Sequence, residues 1–462
     1  MTVINFLLNI VFFNVFKIFG LEENVNLPLS IAVLLIGCIY IMFRLRFIQF
    51  TRFGTMLKYI FKKSKDERNN TSPIATLLTS IASCTGMNAT AGMVFMIAVG
   101  GIGTIFWLPI LAFLCMPFRF AEVYLSHSYR SNKESSVSDM IGGPFDYIKK
   151  GLSDIGFKKA GIILSFVYAA LMATAGTIGV SMYEMNQAVV VFEKGFSFLE
   201  GKRVILSTVF TILIIWVALG GTKRIEKFMS TALSVLSITY ISISIVVILF
   251  NYENTISAFA LIYEDAMHPK SIAGGFVGSL CMCARKCALS HETGLGTSGI
   301  VHALSAEKDS IKEATRSMFT PFVTGLIICL ATSLVLISTG VYKDANIMKD
   351  GVSALTVAFG SVCKIFSWII IIIIPMFTVN VTIGWSNYVI KCTKYLFKNK
   401  KVVSVVMIAF FVFAFLGGII DNFFLIMNIV DLILMFILLI NVPIIMMLSG
   451  IVLKAVKKYK FE

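Results

Sequence analysis

Long apolar runs alternate with short polar segments along the whole chain, and this pattern predicts a bundle of membrane-spanning helices. A helix needs roughly 20 apolar residues to cross about 30 Å of hydrocarbon, and many runs reach that length. We expect eleven spans, at residues 27–46, 73–99, 104–128, 160–190, 204–220, 228–250, 272–302, 317–340, 354–390, 402–420 and 424–453. The predicted fold class is an all-α polytopic membrane protein.

Two of these runs are interrupted by glycines and polar residues. The first contains SCTGMNATAG at 83–92, and the second contains ARKCALSHETGLGTSG at 284–299. A lipid-facing helix gains nothing from Gly, Ser, Thr and Asn at mid-span, whereas an unwound helix offers freed backbone groups to a solute. One break in each half of the chain predicts the binding site of a secondary transporter.

The breaks also divide the chain. We expect residues 1–50 to hold a peripheral helix at 3–20 and one extra transmembrane helix. Residues 51–250 are then the first five-helix repeat, and 251–462 the second, with a cytoplasmic C-terminus. Because five is odd, the second set enters the membrane in the opposite sense. This predicts a LeuT-like 5+5 inverted repeat (the APC superfamily) with discontinuous first and sixth core helices.

Composition and charge agree with a membrane location, since 57% of residues are hydrophobic, 14% are charged and the mean hydropathy is +0.88. The net charge of +15 would suit a nucleic-acid-binding protein, but most Lys and Arg fall in alternate loops. We therefore expect the N-terminus outside and the C-terminus in the cytoplasm. The expected partner of the basic residues is membrane lipid, with no nucleic acid.

The breaks carry groups that suit an amino-acid zwitterion. Freed N–H groups at Gly86, Met87 and Asn88 lie at the positive end of a half-helix and fit a carboxylate. Freed carbonyls at 83–85 or at 288–290 fit an ammonium. Glycine permits such close backbone approach because it has no Cβ.

A sodium ion needs several oxygen ligands. Carbonyls of the first break can supply some, and Thr378, Asn380 and Thr382 of the eighth core helix can supply others. The alternative for each threonine is a hydroxyl that bonds a carbonyl of its own helix. Asn380 is different, because an amide at mid-span must find a partner.

Several ionisable residues lie inside the predicted spans. Glu292 lies in the second break, where it either pins the structure or takes part in gating. Arg119 and Glu122 are three residues apart on one helix face, which favours an internal ion pair. Arg285 and Lys286 adjoin the second break; they either extend towards the membrane surface, pair with Glu292, or provide a fixed positive charge in place of a coupling ion.

The sequence resembles the alanine/glycine:cation symporter family over about residues 40–455. The resemblance is carried by RFIQFTRFGTMLKYIF (46–61), GGIGTIFWLPILAFLCMPFRFAEVYLSHSYR (100–130), GGPFDYIKKGL (142–152), ALGGTKRIEK (218–227), ARKCALSHETGLGTSGIVHALSA (284–306) and IGWSNYVIKCTKYLF (383–397). It implies a LeuT-fold carrier of the bacterial plasma membrane that moves alanine or glycine inward with Na⁺. It implies no enzyme activity and no cofactor beyond the coupling ion.

The departures from the family pattern concentrate on the pocket. Aligned on the closing Ala-Gly of the first break, Asn88 replaces a family Gly and Ala89 replaces the family Asn. In the third core helix, Thr177 and Val180 replace two amides, and Leu289 replaces a pocket aromatic. The alternatives are therefore a different substrate, proton-coupled or uncoupled transport, and a transport-incompetent amino-acid sensor.

The candidate site residues form three groups. Substrate binding is assigned to Thr85, Gly86, Met87, Asn88, Thr177, Leu289 and Trp385. Ion binding is assigned to Ser83, Ala89, Thr378, Asn380 and Thr382, and gating or structural roles to Lys286, Glu292, Gly294 and Gly296. We expect no catalytic residue and no resident metal, because the His291–Glu292 pair lacks the second His of a zinc-protease helix.

Overall fold

The helices account for nearly all of the structure. A computed structural model describes residues 12–15, 17, 27–61, 72–131, 142–267, 275–421 and 423–461, so most of the predicted peripheral helix at 3–20 lies outside the described residues. The helices are α1 (Leu29–Arg44), α2 (Ile48–Thr51), α3 (Phe53–Phe61), α4 (Pro73–Cys84), α5 (Ala91–Gly100), α6 (Thr104–Ser128), α7 (Pro144–Asp154), α8 (Lys158–Gly195), α9 (Arg203–Ala218), α10 (Gly221–Phe250), α11 (Tyr252–Met267), α12 (Gly275–His291), α13 (Thr297–His302), α14 (Ser310–Ser338), α15 (Ala345–Met348), α16 (Gly351–Gly360), α17 (Lys364–Leu396), α18 (Lys400–Ile419) and α19 (Phe423–Lys458).

Seven helices in the described parts of the chain are long and apolar enough to cross a membrane: α6, α8, α10, α14, α17, α18 and, from Ile426 onward, α19. Shorter apolar helices are α1, α4, α5, α9 and α16. The two interrupted runs become helix pairs, α4 with α5 and α12 with α13. The division into repeats at residues 51–250 and 251–462 stays a prediction.

One predicted span differs from the structure. The run 354–390 is two helices, because α16 ends at Gly360 and α17 begins at Lys364. Cys363 between them is extended, with φ −151° and ψ 126°. The Ser367 hydroxyl of α17 donates to the Thr356 carbonyl of α16 at 2.7 Å, which holds α16 folded back on α17. The predicted loop 251–271 likewise contains a helix, α11.

The first break begins where α4 ends at Cys84. Gly86 is extended, residues Met87–Ala89 make one 3₁₀ turn, and α5 starts at Ala91. Gly, Asn and Thr are weak helix formers, so the local sequence favours unwinding here. At Gly86 a Cβ would lie 2.8 Å from Val381 Cγ2 and 2.9 Å from Glu184 Oε1. Only glycine lets the break approach α17 and α8 this closely.

The second break turns the chain through left-handed backbone conformations. Glu292, Gly294 and Gly296 have φ values of 51°, 84° and 91°. Glycine adopts such values freely, whereas a left-handed residue with a side chain costs roughly 1–2 kcal/mol. Glu292 is therefore held by its surroundings, and its side chain accepts a hydrogen bond from Trp385 Nε1 at 3.0 Å.

Neighbouring helices satisfy the freed backbone of the second break. The Gly294 N–H donates to Glu122 Oε2 at 3.1 Å, and the Gly294 carbonyl accepts from Asn441 Nδ2 at 2.8 Å. The Leu295 carbonyl accepts from Tyr168 Oη at 2.6 Å. Because an unpaired buried backbone group is costly, these bonds fix the break as part of the scaffold.

Arg119 completes this support. It pairs with Glu122 at 3.2 Å, and its guanidinium donates to the His291 carbonyl at the end of α12. Both side chains of the pair are fully buried. The expected ion pair is present, and it also ties α6 to the end of the broken helix.

Substitution of Gly296 by alanine tests whether the second break requires glycine at this position. A Cβ at this position has a left-handed φ and overlaps Tyr168 Oη and Pro144 Cγ. Gly296→Ala should lower stability by about 2–5 kcal/mol, the sum of left-handed strain and overpacking. Gly340→Ala is the matched control, since φ is 75° there but nothing lies within 4 Å. Equal melting temperatures of the two purified variants would contradict the packing argument.

Candidate functional site

The two breaks face a buried cavity of about 90 Å³ between α8, α17 and α19. A water molecule requires roughly 10–15 Å³ on this scale, so the cavity suits a solute of only a few non-hydrogen atoms. Its wall contains backbone and side chains from both breaks and several ionisable groups: Gly86, Asn88, Glu184, Glu292, Trp385 and Asp431.

Glu184 of α8 is an acidic group in this wall that the sequence analysis did not assign. Its side chain is buried, with 3% of the residue exposed. Its Oε2 accepts a hydrogen bond from the Met87 N–H of the first break at 3.4 Å. The sequence did contain a signal for it, because Glu184 is the single acidic residue of predicted span 160–190. A carboxyl inside a membrane span is energetically costly and usually marks a functional position.

Trp385 and Glu292 form a second polar element of the wall. The indole N–H of Trp385 donates to Glu292, and the Trp385 ring packs edge-on against Tyr388 at 5.4 Å between centroids. The Tyr388 hydroxyl in turn donates to Ser83 Oγ at 2.7 Å. Helix α17 thus connects the second break to the first through three aromatic and hydroxyl contacts.

Arg285 and Asp431 form an ion pair of 2.7 Å in the same wall. Asp431 is buried, whereas the side chain of Arg285 is about one-third exposed, at 34%. Arg285 is therefore paired, but its partner is Asp431 and not the expected Glu292. Asp431 is a further mid-span carboxyl that the sequence analysis did not assign.

The candidate ion ligands on α17 do not share one helix face. Asn380 is about 200° from Thr378 around the helix, since each residue turns by about 100°. Asn380 Nδ2 donates to the Met229 carbonyl at 3.4 Å, and Asn380 Oδ1 is buried without a hydrogen-bond partner among the described residues. Gly384, one turn along, approaches Met229 and Ser83, so Asn380 lies on the face turned to the first break.

Four candidate threonines bond their own helices. The hydroxyls donate to carbonyls three or four residues earlier, in Thr85 to Ile81, Thr177 to Ala173, Thr378 to Pro375 and Thr382 to Thr378. The Ala89 N–H closes the 3₁₀ turn on the Gly86 carbonyl at 3.2 Å. The side chains of Lys286 and Leu289 lie outside the described residues.

A wider cavity of about 390 Å³ lies beside the first and shares Phe95, Tyr183 and Met427 with its wall. This vestibule reaches the ion pair of Lys194 with Asp350, 2.8 Å apart, on the side predicted to be outside. Burial raises the pKa of Asp350, but hydrogen bonds from Lys194 and Ser353 lower it more, so this pKa lies below its usual value.

A buried charge network lies on the predicted cytoplasmic side. Arg316 of α14 pairs with Glu313 and donates to the Tyr59 carbonyl of α3 at 3.1 Å. Glu313 also contacts His302 Nδ1 of α13 at 2.6 Å. These contacts join α3, α13 and α14 on the predicted cytoplasmic side, while the vestibule adjoins the small cavity on the other side.

The fold is that of LeuT-type transporters, as predicted. The chain superimposes on the crystal structure of MhsT in complex with L-phenylalanine with a TM-score of 0.58, covering 85% of this chain and 99% of that one. The sequence identity is 10%, so the likeness shows the fold alone. The discontinuous first and sixth core helices are α4 with α5 and α12 with α13.

Comparison of the sequence with known families shows which family the chain belongs to. Residues 15–462 match the sodium:alanine symporter family, and the chain belongs to that family. It is 29% identical over 436 residues to the sodium/alanine symporter AgcS of Methanococcus maripaludis, covering 94% of each chain. It is 27% identical to a Bacillus subtilis protein named "Probable sodium/glutamine symporter GlnT", covering 93% of this chain and 87% of that one. With its apolar helices, it is a multi-pass membrane protein.

The Arg285–Asp431 pair can be tested by removing one partner at a time. Arg285→Gln leaves the buried Asp431 carboxylate without its partner and should cost about 1–3 kcal/mol of stability. Asp431→Asn should cost less, because the partly exposed Arg285 can reach water. The double variant should recover part of the loss. Strictly additive shifts in the melting temperature of purified protein would argue against coupling between the two.

Proposed function

We propose that the protein is a secondary active symporter that carries a small neutral amino acid, alanine or glycine, into the cell together with Na⁺ by alternating access. The observation that carries this proposal is the small cavity at two helix breaks. It shares wall residues with a wider vestibule on the predicted outer side, and a buried charge network lies on the predicted cytoplasmic side. The proposed orientation has the vestibule outside and both the network and the C-terminus in the cytoplasm.

The size of the cavity favours alanine or glycine over a larger amino acid. Family membership alone does not identify the transported amino acid, since one relative is named for alanine and another for glutamine. Trp385, Val381 and Leu434 are bulky groups of the wall and limit its length. A zwitterion of this size finds amide N–H groups at the first break and carboxylate oxygens from Glu184 and Glu292.

The oxygens near the first break also fit Na⁺. Asn380 Oδ1 is a buried acceptor whose hydrogen-bonding capacity no described residue fills, and such an atom costs roughly 1–3 kcal/mol when left unpaired. A cation ligated by Asn380 Oδ1 and by first-break oxygens near Ser83 would satisfy it. The helical bonds of Thr378 and Thr382 make these two hydroxyls weaker candidates.

Transport into proteoliposomes tests the proposed function directly. Labelled alanine and glycine should accumulate under an inward Na⁺ gradient, and accumulation should collapse when Na⁺ is replaced by K⁺. Equal uptake in both salts would contradict Na⁺ coupling. No uptake of either solute by folded protein would contradict alanine or glycine transport and favour a sensor or another substrate.

The role of Asn380 can be separated from that of its neighbour. Asn380→Ala should raise the Na⁺ concentration for half-maximal uptake by about tenfold, equivalent to ~1.4 kcal/mol for the loss of one ligand. Thr378→Val is the matched control on the same helix, since its hydroxyl bonds the Pro375 carbonyl, and it should leave the Na⁺ dependence nearly unchanged. If Thr378→Val raised the Na⁺ concentration for half-maximal uptake more than Asn380→Ala did, the ion site would lie on the threonine face of α17 instead.

A further inference from the structure

A groove of about 430 Å³ lies on the outer surface of the helix bundle, where α9 ends and α10 begins. We call it the basic groove, and its wall consists of Trp216, Arg224, Lys227, Phe228, Thr231 and Ala232. It shares no wall residue with the small cavity or the vestibule, so it is separate from the candidate site.

Arg224 is held in place across the turn between the two helices. Its guanidinium stacks on the Trp216 ring, 3.9 Å from the ring centroid. Its aliphatic stem covers Gly220, where a Cβ would overlap Arg224 Cδ. Stacking occupies the flat face of a guanidinium and leaves the N–H donors along its edge available. Because no described residue forms an ion pair with Arg224, these donors can bind an anion.

Lys227 adds a second positive charge beside Arg224, since residues three apart lie on the same face of a helix. The side chain of Lys227 is exposed and has no acidic partner among the described residues. The adjacent acid, Glu226, is buried, with 2% of the residue exposed. The rim of the groove therefore carries two positive charges that the described part of the protein does not balance.

The remainder of the groove is largely apolar and follows α10 towards the middle of the membrane. Phe228 and Ala232 lie one turn apart in its wall, and Val235 and Ile238 continue the same helix face with 61% and 67% exposed. The part of α10 from residue 228 to its end measures about 34 Å at 1.5 Å per residue, which matches the hydrocarbon thickness. Arg224 and Lys227 thus lie at the level of the lipid headgroups.

A phospholipid with an anionic headgroup matches both halves of the groove. Its phosphodiester supplies the missing negative charge, and arginine binds phosphate oxygens in a bidentate manner. Its acyl chain suits the apolar surface of Phe228 and of Trp216, which is 56% exposed. Inorganic phosphate would leave the apolar half uncovered. A twofold contact between two copies of the chain at this groove would bring like charges together.

We propose that the basic groove binds one anionic phospholipid of the cytoplasmic leaflet. Arg224 and Lys227 hold its phosphate, and one acyl chain lies against Trp216 and Phe228. The site goes beyond the proposed transport function and requires only the predicted orientation, in which the turn between α9 and α10 faces the cytoplasm. A bound lipid would join the ends of these two helices, in addition to the diffuse attraction that anionic membranes exert on basic loops.

Native mass spectrometry of the purified full-length protein counts the lipids that remain bound. In detergent with equal amounts of phosphatidylglycerol and phosphatidylcholine, wild-type protein should retain one phosphatidylglycerol in preference. Arg224→Gln should weaken this binding about tenfold and Lys227→Gln about fivefold, because charge-assisted contacts to phosphate are lost. Arg224→Lys keeps the charge without the bidentate geometry, so its affinity should lie between those of wild type and Arg224→Gln.

Lys159→Gln is the matched control for these variants. Lys159 is also an exposed lysine on the predicted cytoplasmic side, but it lies at the start of α8 and outside the groove wall. This variant should retain phosphatidylglycerol as wild type does. An equal loss in Lys159→Gln and Lys227→Gln would show diffuse attraction only and would overturn the site.

Quenching of tryptophan fluorescence by brominated acyl chains locates the bound lipid. The chain has four tryptophans, and only Trp216 lines the basic groove. Brominated phosphatidylglycerol should quench wild-type fluorescence more than brominated phosphatidylcholine does. This difference should disappear in Trp216→Phe. A difference that persists in Trp216→Phe would place the lipid elsewhere and overturn the proposal.

Two other occupants give distinct results, and each would overturn the proposal. Displacement of phosphatidylglycerol by inorganic phosphate would indicate a phosphate site, and a lipid-free dimer that dissociates in Arg224→Gln would indicate an interface between copies. These measurements need neither amino acid nor Na⁺. Their failure would therefore leave the symporter proposal intact, and absence of alanine or glycine uptake would leave the lipid site intact.

Discussion

The fold depends on the rule that a backbone polar group buried in a membrane must find a partner inside the protein. The second break meets this rule with protein groups alone, through Glu122, Asn441 and Tyr168. The first break meets it partly through the cavity, where the Met87 N–H reaches only a long bond to Glu184. The same kind of helix interruption is therefore bonded to neighbouring helices in one half, whereas in the other its freed backbone borders the cavity.

Buried charged side chains must likewise find partners inside the protein. Arg119 with Glu122 and Arg316 with Glu313 are buried pairs, each within one helix, and pairing offsets part of the desolvation cost of the buried ions. The arginine of each pair also donates to a backbone carbonyl of another helix, at His291 and at Tyr59. At the cavity, Asp431 is paired with Arg285, whereas Glu184 accepts a hydrogen bond from the Met87 N–H and has no basic partner among the described residues.

The two breaks, the LeuT-like fold and the family were predictable from sequence, because glycines and polar residues at mid-span are conspicuous in apolar runs. The directions in which individual side chains point could not be predicted from the sequence. Thr177, Thr378 and Thr382 looked like ligands, yet a helical threonine has a carbonyl of its own helix within reach. Glu184 and Asp431 were overlooked although each is a single acidic residue in a predicted span, and only packing reveals that both face one cavity.

Phe95, Tyr183 and Met427 are the side chains common to the vestibule and the small cavity. Exposed side chains change rotamer in picoseconds to nanoseconds, whereas packed helices move relative to one another in microseconds to milliseconds. Under the proposed alternating-access cycle, the two faces of the protein therefore differ in kinetic character. In that cycle a solute on the vestibule side equilibrates with the cavity many times before the inner helices separate once, so occupancy is set at near-equilibrium outside and the pace of the cycle is set inside.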